Sequence, residues 1–147
     1  MLELRVETIT ENAKLPQRAH KFDAGFDLFC DSDFTIPPSN ETILVTTGLK
    51  LAIPRGYYGR IVGRSGLTSR TPLRVLEGII DADYRGELKI MVTSNVPQCD
   101  ETIEAGSKIA QLIIQPLPNI ALVTGKPLDE TTRGEGGFGS TDHQENA

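Results

Sequence analysis

The stretch "ETILVTTGLKLAIP", Glu41 to Pro54, carries apolar residues on both sides of one glycine. It reads as two short strands that meet at Gly48, where the missing Cβ lets the chain bend. The same punctuation governs the rest of the chain. Past Pro16, no stretch free of Gly and Pro exceeds eleven residues, the longest being Phe26 to Ile36. A stable helix wants about 12–15 residues, so little room is left for helices of normal length. Between the breaks the pattern alternates. Leu2, Leu4 and Val6 face one way; so do Phe26, Leu28 and Cys30, with Asp27 and Phe29 opposite. Leu88, Ile90 and Val92 alternate with Glu87, Lys89 and Met91. "KIAQLIIQPL", Lys108 to Leu117, reads as a buried strand stopped by Pro116. The one helix in the pattern is brief and follows Arg64-Ser65-Gly66 through "LTSR". Many short strands between turn signals predict an all-β protomer, a jelly-roll-like barrel or sandwich with one short helix.

The chain has 147 residues, the length of one domain with a sizeable core. Without Trp and with 5% aromatics, that core is aliphatic. No run approaches the roughly 18–20 apolar residues of a membrane span, and "MLELRVETIT" at the start is no signal peptide. Localisation is read as intracellular: cytoplasmic, with the nucleus open. Cys30 and Cys99 share no metal or redox spacing and read as packed thiols in a reducing compartment. From Pro127 the composition turns polar and Gly-rich, which divides the chain into a domain, 1–126, and a flexible arm, 127–147. The net charge of −5 argues against a nucleic-acid binder. Residues 55–85, however, carry six arginines against Glu77, Asp81 and Asp83, a local +3 that leaves −8 elsewhere. That window suits a small polyanion or a solvated basic face.

Five stretches offer chemistry. In "RGEGGFGST", Arg133 to Thr141, Gly134 and Gly139 have Walker A spacing, but Ser140 stands where Lys is required. No helix-length segment follows, so a P-loop motor is excluded. The run still combines glycines, two hydroxyls, Arg133 and the single aromatic Phe138, a set able to close on phosphate oxygens and stack on a base. "GRSGL", Gly63 to Leu67, places Arg64 and Ser65 before the short helix, as an anion-binding turn or an ordinary one. "GIIDADYRGEL", Gly78 to Leu88, reads as a hairpin whose Asp81 and Asp83 face the same side, an acidic surface turn or a pair that activates water or holds a divalent ion. "DAGFDL", Asp23 to Leu28, sets Asp27 between apolar neighbours, and Gln111 lies inside an apolar strand where a buried amide needs partners. His20 and His143 are the only histidines, and no His/Cys cluster suggests zinc.

Taken in this order over about 120 residues, DAGFDL, GRSGL, GIIDADYRG, GSKIAQLI and RGEGGFGST make the chain resemble the trimeric dUTPases. The resemblance implies a homotrimer with three shared active sites. It implies hydrolysis of dUTP to dUMP and pyrophosphate with Mg²⁺, lowering dUTP and supplying dUMP for dTTP synthesis. It casts Asp81 as the catalytic carboxylate and Tyr84 as the ring beneath the deoxyribose. The backbone of the hairpin that opens at Gly78 would read the uracil edge. Arg64, Ser65, Gly66 and Gln111 would contact the triphosphate. The magnesium would be held mainly by triphosphate and water, with Asp27 supporting its water shell. In the arm, Phe138 would stack over uracil, while Arg133, Gly139, Ser140 and Thr141 close on the phosphates. Three positions depart from the pattern: Ala82 between the aspartates, Lys108 where Arg is common, and Asp142 where glycine is frequent. Two other readings share the scaffold: a dCTP deaminase relative, against which the Asp81–Tyr84 stretch argues, and a dUTP-dependent regulatory or interaction protein.

Overall fold

Glu87 to Ser94 alternates as its sequence requires: Leu88, Ile90, Val92 and Ser94 are buried, while Lys89 and Met91 are exposed. Around strands of this kind the computed structural model, which describes residues 1–142, builds two antiparallel sheets. In chain order the elements are β1 (Arg5–Thr8), β2 (Phe26–Phe29), β3 (Phe34–Thr35), β4 (Ile43–Ala52) and β5 (Tyr57–Val62). Then come α1 (Ser65–Arg70), β6 (Leu73–Val75), β7 (Gly78–Ile80), β8 (Glu87–Ser94), β9 (Thr102–Ile103) and β10 (Lys108–Pro116). The first sheet runs β1-β4-β8-β6 and the second β2-β10-β5-β7, with β3 and β9 as a small separate ribbon. One aliphatic core joins the two inner faces, with Leu49, Leu88 and Ile90 from the first and Leu28, Ile61 and Leu112 from the second. Each such side chain contributes about 1.5–3 kcal/mol by leaving water. The fold is the all-β, jelly-roll-like sandwich that the punctuation predicts. No described helix is long and apolar enough to cross a membrane.

Two sequence expectations are corrected. β1 begins at Arg5, so Leu2 lies outside the strand and is exposed; only Leu4 and Val6 pack on the core. Glu41 to Pro54 holds one strand rather than two. β4 runs through Gly48, and its pairing with β8 passes from Thr46↔Lys89 to Lys50↔Glu87. Two extra residues on β4 keep parity, so Val45, Thr47, Leu49 and Leu51 all face inward. Gly48 takes φ +69°, and an added Cβ would press on Ala13 at 2.9 Å. The last strand ends at Pro116, the proline read from sequence as its stop, eleven residues before the compositional change at Pro127. From Pro116 to Asp142 every residue is exposed except Gly136 and Gly137. Leu117 N–H still donates to the Gly56 carbonyl at 2.8 Å.

Candidate active site

Three neighbouring strands assemble the first cluster. In the second sheet, Gln111 on β10 stands opposite Asp27 on β2 and Val62 on β5. Gln111 Nε2 donates to the carbonyl of Gly63, the residue before Arg64, at 2.9 Å. Gly25 makes the space, since a Cβ there would strike the Gln111 amide. Asp27 Oδ1 lies 2.9 Å from Arg64 Nε, and its Oδ2 lies 3.1 Å from Lys108 Nζ. Arg64 holds the N-cap of α1, a position that favours Asp, Ser, Thr or Asn. Its side chain caps nothing and turns to Asp27. Because α1 has only six residues, its N-terminus offers little as the anion site the sequence suggested. What remains for an anion is the Arg64 side chain beside Ser65 and Gly66.

Each Asp27 oxygen lies beside one cation, and the carboxylate keeps further acceptor positions for a water of a metal's shell. Among the described residues, no three His, Cys, Asp or Glu side chains gather as a metal site.

The second cluster is a corner. β7 pairs with β5 in the second sheet, whereas β8 pairs with β4 and β6 in the first. Residues 81–86 therefore cross between sheets, and the hairpin expected from sequence is absent among the described pairings. Strand alternation does not govern Asp81 and Asp83, because both lie beyond the end of β7. Hydrogen bonds pin the turn instead. Tyr84 N–H donates to the Asp81 carbonyl at 3.2 Å. Arg85 Nη1 donates to the carbonyls of Ala82 at 2.7 Å and Tyr84 at 3.0 Å. Tyr84 Oη donates to the Glu87 carbonyl at 3.0 Å. Gly86 lets that ring lie flat on the backbone, since a Cβ there would come within 2.6 Å of Tyr84 Cζ. Asp81 and Tyr84 are both exposed, and Asp81 opens on a wide groove shared with Arg5, Arg55, Tyr58 and Arg85. Gly78 stands opposite Ile61 on β5.

The two clusters lie toward opposite ends of β5. Ile80 pairs with Gly59, and Arg64 lies five residues further along. At about 3.3 Å per residue the gap is about 16 Å. The described residues of the arm hydrogen-bond to neither. Its described hydrogen bonds are internal: Arg133 Nε donates to the Gly136 carbonyl at 2.7 Å, Ser140 N–H to Gly137, and Asp142 N–H to Gly139. Phe138 is fully exposed, with φ 51°. Gly139 has φ +84°, and Asp142 lies against it, 2.8 Å from where a Cβ would stand. Thr141 is exposed, and His143 lies outside the described residues.

The arginine window is mostly spent within the protein. Arg60 pairs with Glu77 at 2.6 Å, and Glu77 holds its guanidinium above the usual pKa. Arg70, Arg74 and Arg85 bond backbone carbonyls. Among the described residues, Arg55 and the terminal nitrogens of Arg64 have no protein acceptor.

Sequence reasoning missed Asp31, which is 5% exposed. Burial pushes its carboxyl pKa up, but hydrogen bonds from Thr46, Thr10 and Ser32 outweigh that and hold it below the ordinary value. Its donors are hydroxyls scattered through the sequence, and only the "CDSD" that follows β2 hinted at an acid beside the core. Next to it Cys30 is buried, its thiol donating to Glu104 O at 3.2 Å, and burial raises its pKa. Both cysteines are free.

Comparison with known proteins covers nearly the whole chain. A family model described as dUTPase matches residues 11–142. The chain is 44% identical over 140 residues to a deoxyuridine 5'-triphosphate nucleotidohydrolase of Debaryomyces hansenii, covering 94% of this chain and 86% of that one. It is 42% identical to the same enzyme of Paramecium bursaria Chlorella virus 1, covering 96% and 99%. Among solved structures it is similar to Staphylococcus bacteriophage 80alpha dUTPase with dUPNHPP, with TM-score 0.85, 32% identity and coverage of 94% and 97%. A mutant dUTPase from phage phi11 of S. aureus, described as coordinating a structural Mg(II) ion, aligns with TM-score 0.78, 31% identity and coverage of 85% and 97%.

Proposed function

This chain belongs to the dUTPase family, and on that premise we propose how its residues divide the hydrolysis of dUTP to dUMP and pyrophosphate. The reading is carried by the corner after β7, where an exposed carboxylate, Asp81, stands beside an exposed ring, Tyr84, on hydrogen-bonded backbone. Asp81 accepts a proton from the attacking water. The water oxygen bonds the α-phosphorus, the bond to the bridging oxygen breaks, and pyrophosphate leaves with that bond's electrons. Tyr84 lies beneath the deoxyribose and leaves no room for a 2′-hydroxyl. The backbone from Gly78 onward reads the uracil edge. Arg64, Ser65 and Gly66 hold the phosphate tail, and Gln111 serves it by fixing the turn through Gly63. Magnesium arrives with the triphosphate as part of the substrate and offsets its charge.

The active unit in this reading is a homotrimer acting inside the cell. What supports it is that the Asp81 corner and Arg64 lie toward opposite ends of β5, about 16 Å apart at strand rise. The missing half comes from a neighbouring copy. Residues 1–126 form the domain. The arm, 127–147, closes over the nucleotide, stacking Phe138 on uracil and bringing Arg133, Gly139, Ser140 and Thr141 to the phosphates.

The test is pyrophosphate release from dUTP, UTP, dTTP and dCTP with magnesium. Turnover of dUTP alone is expected. Comparable turnover of UTP overturns the role given to Tyr84, and ammonia release from dCTP overturns the reaction.

A further inference from the structure

We propose that Gln17 is a further substrate-binding residue, whose side-chain amide donates to the phosphate tail held by Arg64. The proposal rests on the dUTP-hydrolysing reading above and adds a residue to it.

Gln17 lies outside the five stretches that carry the site's chemistry. It follows Pro16, which has no N–H to pair, so pairing starts one residue later. β2 is an edge of the second sheet, and Gln17 extends that edge by one antiparallel bridge to Asp27. Both backbone bonds of the bridge are made. Gln17 N–H donates to the Asp27 carbonyl at 3.2 Å, and Asp27 N–H donates to the Gln17 carbonyl at 2.6 Å. Residues that exchange both bonds stand opposite each other, with Cα atoms about 5.5 Å apart and side chains on one face. The register continues inward from Asp27 to Gln111 and from Gln111 to Val62. Leu28, Ala110 and Leu112, the alternate residues of β2 and β10, face the core. Gln17, Asp27 and Gln111 therefore form one row across the outer face of the sheet. Arg64 reaches the same row from beyond Val62 through its contact with Asp27.

Two members of the row are already committed. Gln111 Nε2 is given to the Gly63 carbonyl, and Asp27 lies between Arg64 and Lys108. Gln17 is exposed, and among the described residues its side chain has no hydrogen-bond partner. Its amide keeps two N–H donors and an oxygen that can turn away. The terminal nitrogens of Arg64 thus flank one side of the Asp27 carboxylate, and a free amide stands on the other. Two cations around one carboxylate leave this face net positive, so it draws an anion. A chain of phosphates lying over Asp27 would meet Arg64 with one group and Gln17 with its neighbour. Being neutral, the amide adds direction to that grip without adding attraction for every anion.

The test is Gln17→Ala, which keeps both backbone bonds of the bridge and removes only the amide. Binding of a non-hydrolysable dUTP analogue is expected to weaken about five- to tenfold. KM for dUTP rises by a similar factor while kcat stays within about twofold. Affinity for dUMP, which lacks the β- and γ-phosphates, changes by less than about twofold. Gln17→Glu, of equal length but anionic, weakens the analogue more than Gln17→Ala does. Both variants keep Tm within about 1 °C of wild type, as an exposed side chain without partners requires. Four outcomes overturn the proposal: unchanged analogue affinity in Gln17→Ala, equal losses for analogue and dUMP, wild-type analogue affinity in Gln17→Glu, or a Tm several degrees lower. If the wild-type protein neither binds the analogue nor hydrolyses dUTP, the functional reading itself fails. If it does both, and Gln17→Ala behaves like wild type, only the role of Gln17 falls.

Discussion

An exposed carboxylate makes a useful base only if the backbone beneath it holds still. Asp81 has that support from Tyr84 N–H and from Arg85, which bridges the carbonyls on either side of Asp83. Asp81→Asn keeps these backbone bonds and removes only the proton acceptor. It is expected to lower kcat by several orders of magnitude with dUTP binding nearly intact, as single-turnover and binding measurements would read. Retained turnover would move the base elsewhere. Asp31 works in the opposite setting, enclosed and fed by hydroxyl donors. Its folded-state pKa lies below its ordinary value. The charged form therefore stabilises the fold above the ordinary carboxylate pKa, and that stability is lost as pH falls through the depressed value. Asp31→Asn should cost about 1–3 kcal/mol at neutral pH and flatten the acid side of a Tm-against-pH curve. An acid limb identical to wild type would assign the loss to other carboxylates.

Among the elements, the strands were legible where one face meets the core. β8 and β10 sit where alternation and Pro116 put them, because burial imposes a period of two on the sequence itself. Pairing was not legible. Nothing in "GIIDADYRGEL" says that its first half belongs to one sheet and its second half to the other; that is decided by which distant edge is free, here the edge of β5. The bulge at Gly48 was likewise hidden, since it depends on Ala13, Thr10 and Asp31 arriving from elsewhere. The site shows the same division. Arg64 and Asp81 were readable as residue types in a pattern, whereas the ion pair that occupies Asp27 needed β2, β5 and β10 side by side. The arm is the element with least stake in the core, being exposed almost throughout. Ending the chain after Thr132 should leave Tm within about 1 °C, as expected for residues that bury nothing, while dUTP hydrolysis falls steeply. Full activity in the shortened protein would remove the arm from the mechanism.

At the scale of the whole molecule, the separation of the two clusters along β5 makes complementation the sharpest test of a shared site. Asp81→Asn and Arg64→Ala proteins should each be nearly inactive alone. Unfolded and refolded together, they should recover activity. Random assortment leaves about a quarter of the sites with Asp81 and Arg64 both intact when two copies build each site. No recovery in a verified mixed trimer would place both residues in one chain's site. The arm sets a further condition on such an assembly, which belongs to polymer statistics. After the bond from Leu117 to Gly56, about twenty residues lead to Phe138, enough for a root-mean-square reach of about 25 Å if they behave as a flexible tether. Tethers of that order present their ends at effective concentrations near the millimolar range. Phe138 and its neighbours therefore need only a millimolar intrinsic affinity for a filled site to be closed half the time. Such a weak grip lets go as readily as it forms, so pyrophosphate can leave without first breaking a strong contact.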